Sequence, residues 1–169
     1  MSTPYRHDED LFPAAAGEPA DICQRLHAEL ESRSTVVILH VHGEIDAFTL
    51  QRWHRMVDTA VDRAIECGHL VVDISDTEFM ACRSVLDLAA RAQQAAAHGV
   101  LVSVVDPGPS VVARVVAVAG LTEWLPLHTT LIDALAAHTP RTSPCPTPPR
   151  SPRHAKPPRT TRNRPIPPP

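Results

Sequence analysis

A thiol, a guanidinium and a hydroxyl stand side by side at Cys82-Arg83-Ser84, between two apolar runs of different period. The run before them, Leu70-Val-Val-Asp-Ile, reads as a short buried strand. In the run after them, Val85, Leu86, Leu88, Ala89 and Ala92 recur at helical spacing, and the pattern stops at His98-Gly99. The three side chains therefore lie on a strand–turn–helix junction. A helix N-terminus there exposes unpaired amides and a positive dipole end. Cys82 is then either a small, partly buried helix-start residue or a reactive thiol, because the helix terminus and Arg83 both favour the thiolate.

Carboxylates flank this junction. Asp73 lies near the C-terminal end of the buried strand, where open α/β sheets carry functional groups, or else its carboxylate holds the loop by hydrogen bonds. Gly43-Glu-Ile-Asp46 closes an earlier strand, and Asp46 is placed to cap the helix that follows. His40 and His42 alternate on one strand face and are expected to be exposed. Together with Cys67 and His69 they match no zinc-ligand spacing, so no metal is expected. The chain has no phosphate-cradling glycine loop, nucleophile elbow or HExxH helix. Neither an enzyme nor a cofactor is expected.

The elements that must position these residues follow from periodicity. Residues 22–31 fit both a helix stripe (Ile22, Leu26, Leu30) and strand alternation (Leu26, Ala28, Leu30). The β-branched run at 35–42 after the turn-forming Ser32-Arg-Ser34 favours a strand pair. Leu50, Trp53, Met56, Val57, Ala60, Val61 and Ala64 define a helix ended by Gly68. After the central junction come a strand over 100–105, a turn at Asp106-Pro-Gly-Pro and a helix from Ser110 to Gly120. An edge segment at Trp124-Leu-Pro-Leu and a last helix over 131–137, capped by Thr129 or Thr130, complete the chain. The expected fold is α/β, with a leading β-hairpin, a mostly parallel central sheet and about four helices.

Three segments in this order resemble the STAS domain of bacterial anti-sigma-factor antagonists. They are Gly43-Glu-Ile-Asp46, the Val71-Val-Asp-Ile-Ser to Phe79-Met stretch, and Ala119-Gly-Leu followed by Leu125-Pro, and the resemblance covers roughly residues 25–138. It implies a STAS-like fold and a binding module that captures an anti-sigma factor, regulating transcription by protein–protein contact. In that family the turn carries an Asp, then a phosphoacceptor Ser, then a small residue and Gly. Here those positions hold Ala81, Cys82, Arg83 and Ser84. Cysteine cannot form the phosphoserine ester, which leaves Ser84 as an alternative phosphosite. The resemblance also implies a partner-binding set of Glu44, Asp46, Met80, Ala81, Cys82, Arg83, Ser84 and Val85. Arg83 is bulky where the family is small, so it either obstructs the usual kinase-fold anti-sigma factor or selects a dedicated partner. The alternative reading is a scaffold or sensory protein that assembles with other STAS proteins, with Cys82 as a redox input.

Composition sets the boundaries. Of 18 prolines among 169 residues, 12 lie from Pro140 onward. That stretch holds Arg141, Arg150, Arg153, Lys156, Arg159, Arg162 and Arg164 and no carboxylate, a charge of +7. The remaining residues carry 9 basic and 19 acidic side chains, or −10. The expected organisation is a leader over 1–20 without fixed structure, a STAS domain over 21–139 and a disordered Pro/Arg-rich tail over 140–169. Four cysteines without CxxC spacing, no apolar run of membrane-spanning length and no signal-peptide pattern point to the cytoplasm. Nor is direct contact with a membrane or nucleic acid expected. Scarce lysine beside abundant Ala, Arg and Pro fits a bacterial source.

Overall fold

The computed structural model describes residues 6–8 and 11–137. The expected tail over 140–169 lies outside the described residues. Among those described, one sheet holds six strands in the order β1-β2-β3-β4-β5-β6. They are β1 (Arg6–Asp8), β2 (Leu26–Ser32), β3 (Val37–Ile45), β4 (His69–Met80), β5 (Leu101–Val105) and β6 (Leu127–His128). The pairs β1–β2 and β2–β3 are antiparallel, and the other three are parallel. Five helices complete it: α1 (Ala20–Arg25), α2 (Leu50–Ala64), α3 (Cys82–Ala97), α4 (Val111–Val118) and α5 (Leu131–Ala137). The α/β class, the leading hairpin and the parallel remainder are as the sequence implied.

Period-two patterning builds two faces. Leu26, Ala28 and Leu30 of β2, Val37, Leu39 and Val41 of β3, and Leu70 and Val72 of β4 join Trp53, Met56 and Val57 of α2 and Val85 and Leu88 of α3 in one core. On the other face Val36, Ile38, Val71 and Val105 pack with Ala134, Leu131 and Leu135 of α5. Burying each such aliphatic side chain contributes about 1.5–3 kcal/mol. Central strands buried on both sides read as continuous apolar runs, as β3 and β4 do.

Four expectations need correction. The segment before residue 21 is not a free leader in its described part. Residues 6–8 pair with β2, and Leu11 and Phe12 pack against the main core. Arg52 of α2 binds this segment, donating to Phe12 O at 2.9 Å and to Glu18 Oε2 at 3.1 Å. The ambiguous stretch 22–31 resolves into both readings in turn, a short helix to Arg25 and a strand from Leu26, which brings the helices to five. The strand expected over 70–74 runs on to Met80, because β4 keeps pairing with β3 through a bulge between His40 and His42. Finally, Trp124 and Leu125 form a turn, and only Leu127–His128 pair with β5.

Candidate functional site

The junction at residues 80–85 forms where β3 and β4 end together. Glu44 pairs with Phe79 and Ile45 with Met80, and the Ala81 amide then donates to Ile45 O at 2.8 Å. β4 feeds directly into α3. Ala81 is the N-cap residue in extended geometry, and its methyl group offers no cap acceptor. The Ser84 amide closes the first turn on Ala81 O at 2.9 Å. Cys82, the first helical residue, is exposed.

The next side chains diverge. Arg83 projects outward at 77% exposure and donates from Nε to Asp87 Oδ1 at 3.0 Å. The other Asp87 oxygen lies 3.2 Å from His54 Nε2 of α2, so Arg83 is braced toward the neighbouring helix. Ser84 turns inward. It is 1% exposed, and its hydroxyl has no hydrogen-bond partner among the described residues. The alternative phosphosite is therefore corrected: no kinase reaches Ser84 without opening the first turn of α3. Met80 at 7% and Val85 at 0% exposure also belong to the core, so they support the junction and offer no contact surface. Of the expected contact set, Ala81, Cys82 and Arg83 stand at the junction's surface, with Glu44 and Asp46 beside them.

Those two carboxylates converge on a cation that the local sequence did not announce. Arg25 Nη2, at the end of α1, lies 2.6 Å from Glu44 Oε2 and 2.5 Å from Asp46 Oδ2. The hydrogen bonds it donates to Glu44 and then to Asp46 push the Arg25 guanidinium above its already high value. Burial pushes the Asp46 carboxyl up, but the Thr49 amide, the Arg25 guanidinium and the Phe48 amide outweigh it and hold Asp46 below its ordinary value. Asp46 was expected as the cap of α2. Thr49 takes that position instead, and Asp46 Oδ1 accepts from the Phe48 amide at 2.8 Å and the Thr49 amide at 3.0 Å, fixing the turn before the helix. That turn presents Phe48, 75% exposed, with the Arg25 guanidinium 5.8 Å from its ring centroid. Phe79, beside Glu44, is 53% exposed. The edge thus carries two outward aromatic rings, a braced arginine, an open thiol and a fixed ion cluster.

Why β3 approaches Arg25 so closely is visible at Gly43. Its φ is +99°, and a Cβ there would stand 2.0 Å from Arg25 O. Only glycine permits that approach.

Asp73 lies away from this edge, on the α5 face. Its Oδ1 accepts from the Ser75 amide at 3.0 Å and the Ser75 hydroxyl at 2.6 Å, bracing the start of the β4 bulge. Its other oxygen is 3.2 Å from His40 Nδ1. His40 is half-buried between Asp73 and Glu31, and Arg33 closes the row on Glu31 at 2.7 Å. His42 stacks on His27 with ring centroids 5.0 Å apart. The strand histidines are thus partnered, where free exposed rings were expected. Among the described residues no three His, Cys, Asp or Glu side chains gather as a cation-binding group.

Residues 27–134 match the family model described as the STAS domain. The chain belongs to the STAS domain family. This STAS chain is 32% identical over 128 residues to the anti-sigma-F factor antagonist RsfA of Mycobacterium tuberculosis strain CDC 1551, an alignment spanning 75% of this chain and 99% of the relative. An anti-sigma factor antagonist from Mycobacterium paratuberculosis, known from its crystal structure, superposes with a TM-score of 0.58 at 29% identity, over 66% of this chain and 92% of that one. The anti-sigma factor antagonist SpoIIAA in its unphosphorylated form shares the STAS fold at 18% identity, with a TM-score of 0.51 over 65% of this chain and 94% of that one. No helix among the described residues is long and apolar enough to cross a membrane.

Proposed function

We propose that this STAS chain is an anti-sigma-factor antagonist of the cytoplasm, which captures a kinase-fold anti-sigma factor and so frees a sigma factor for transcription. The observation that carries this reading is the edge where β3 and β4 end. Phe48, Phe79, Cys82 and Arg83 are exposed there together, beside carboxylates already fixed by Arg25. Exposed aromatic rings next to a held arginine have the composition of a protein-binding hot spot, not of a solvated surface. Their pre-organisation lowers the ordering cost of docking.

Cys82 replaces the hydroxyl that the family phosphorylates, and inward-facing Ser84 offers no substitute. Release of the partner by serine phosphate at this turn is therefore absent, and the bound state persists where a phosphorylated relative would let go. Arg83 acts as an anchor for a carboxylate on a dedicated partner. Affinity capture from the source cells with the full chain as bait tests the reading. A kinase-fold anti-sigma factor, lost from the capture on Arg83→Ala, supports it. Capture of STAS proteins alone overturns it in favour of an assembly scaffold.

A further inference from the structure

The two faces of the sheet are covered unequally. Helices α2, α3 and α4 contribute to the large core, whereas among the described residues the opposite face carries one helix, α5, over Val36, Ile38, Val71 and Val105. Beyond α5 that face is polar. It presents His27, Glu29 and Glu31 of β2, His40, His42 and Glu44 of β3, and Asp73, Asp76 and Glu78 of β4. Arg25 holds Glu44 there, Arg33 holds Glu31, and His40 lies against Asp73. Part of this surface is a groove of about 640 Å³ lined by Arg25, His27, His42, Glu44, Asp76 and Glu78. Asp76 is 75% exposed, with its Oδ2 3.7 Å from His42 Nδ1, and Glu78 is exposed. An open groove with two outward carboxylates and two flat imidazole rings suits guanidinium groups, which pair with carboxylates through paired N–H donors and stack on planar rings.

The same chain supplies such groups. The described residues end at Ala137 in α5, on this very face, and the sequence continues with six arginines, one lysine and no carboxylate from residue 140 onward. A Pro-rich chain extends by about 3.1 Å per residue, so a segment of this length can reach any point of the sheet. The three strands that carry the acidic surface span only about 10–15 Å. Tethering places the arginines at an effective concentration in the millimolar range, where even weak ion pairs are occupied.

We propose that the basic segment from residue 140 to the C-terminus docks, by charge and without a packed core, onto the polar face of its own sheet beside α5, with arginines in the His27–His42–Asp76–Glu78 groove. Docking there lays the segment beside Arg25 and Glu44, at the border of the edge assigned to the partner. The proposal itself does not depend on that assignment.

Backbone amide resonances of the full chain test it, compared with a full-length variant in which the six arginines and Lys156 are replaced by glutamine. At low salt the two proteins should differ at His27, Glu29, His42, Asp76 and Glu78. Amides of α2 and α4 should coincide, and the differences should vanish near 1 M salt, where screening acts within about 3 Å. Asp76→Asn with Glu78→Gln, both exposed and safe for the fold, should shift the same amides toward the positions of the glutamine variant. Coincident spectra at low salt, or differences spread over the helical face, would overturn the proposal. So would an unchanged pattern in the Asp76→Asn, Glu78→Gln variant.

Discussion

Arg52 is the charge on which the N-terminal segment hangs, and its removal has a calculable cost. The residue is 5% exposed, and its guanidinium makes three bonds, to Leu26 O at 2.7 Å, Phe12 O at 2.9 Å and Glu18 Oε2 at 3.1 Å. Replacing it with methionine keeps much of the stem packing and deletes all three. Breaking a buried ion pair from one side costs about 3–5 kcal/mol, because the surviving charge is left in poor solvent. Here the survivor is partly rescued, since Glu18 keeps Arg55 Nη2 at 2.6 Å and the Ala15 amide at 2.9 Å. The lower end, about 3 kcal/mol, is therefore expected, or a fall in Tm of about 6–12 °C for a chain of this size. Urea unfolding of wild type and Arg52→Met measures it. The control is Arg55→Met, whose guanidinium is 43% exposed and should contribute under about 1 kcal/mol. Burial pushes the Glu18 carboxyl up, but the Ala15 amide, Arg55 and Arg52 hold it below its ordinary value of 4.5. The difference between wild type and Arg52→Met should therefore be full above that pH and shrink as pH falls through the lowered value. Equal, small losses for both variants would refute the view that Arg52 seats the segment.

Three further outcomes follow from single positions. Gly43→Ala should cost several kcal/mol, since its Cβ would meet backbone at 2.0 Å, whereas Gly120→Ala, with positive φ and open space, should cost about 1–2 kcal/mol by the same urea unfolding. The bond to Asp73 raises the His40 pKa above its ordinary 6.5, burial opposes, and Glu31 adds to the rise. The stability this cation provides is full below 6.5 and lost as pH rises through the elevated value, so His40→Gln should flatten the fall in stability toward higher pH in denaturant titrations. Incubation with a serine kinase of the anti-sigma class and ATP should leave residues 81–85 without phosphate by intact-mass and peptide mapping. Phosphate on Cys82 or Ser84 would contradict the placement of those side chains.

Much of the fold was legible because it rests on local periodicity. Trp53, Met56, Val57 and Ala60 mark α2, and the spacing of Val85, Leu88, Ala89 and Ala92 marks α3. Ser84 could have been read the same way, since it shares the α3 face of Leu88 by a step of four, and the spacing alone would have turned its hydroxyl inward. What stayed hidden is long-range. Arg25 meets Glu44 and Asp46 across 19 and 21 residues, and Arg52 meets Phe12 across 40. No window of sequence shows such pairs. Arg6–Asp8 is polar and short, so only its partner strand makes it a strand. Phe48 and Phe79 look like core residues by type, and their exposure follows from where the turn and the strand end leave them.

Calorimetric titration of the captured kinase-fold anti-sigma factor into the full chain, its Arg83→Ala variant and its Asp46→Ala variant tests the central claim most directly. The account predicts binding to wild type that Arg83→Ala weakens by about 1–3 kcal/mol, roughly 5- to 150-fold. Asp46→Ala should weaken it too, by more than its own loss of fold stability explains. Undiminished affinity in both variants would contradict the assignment of the β3–β4 edge as the docking face.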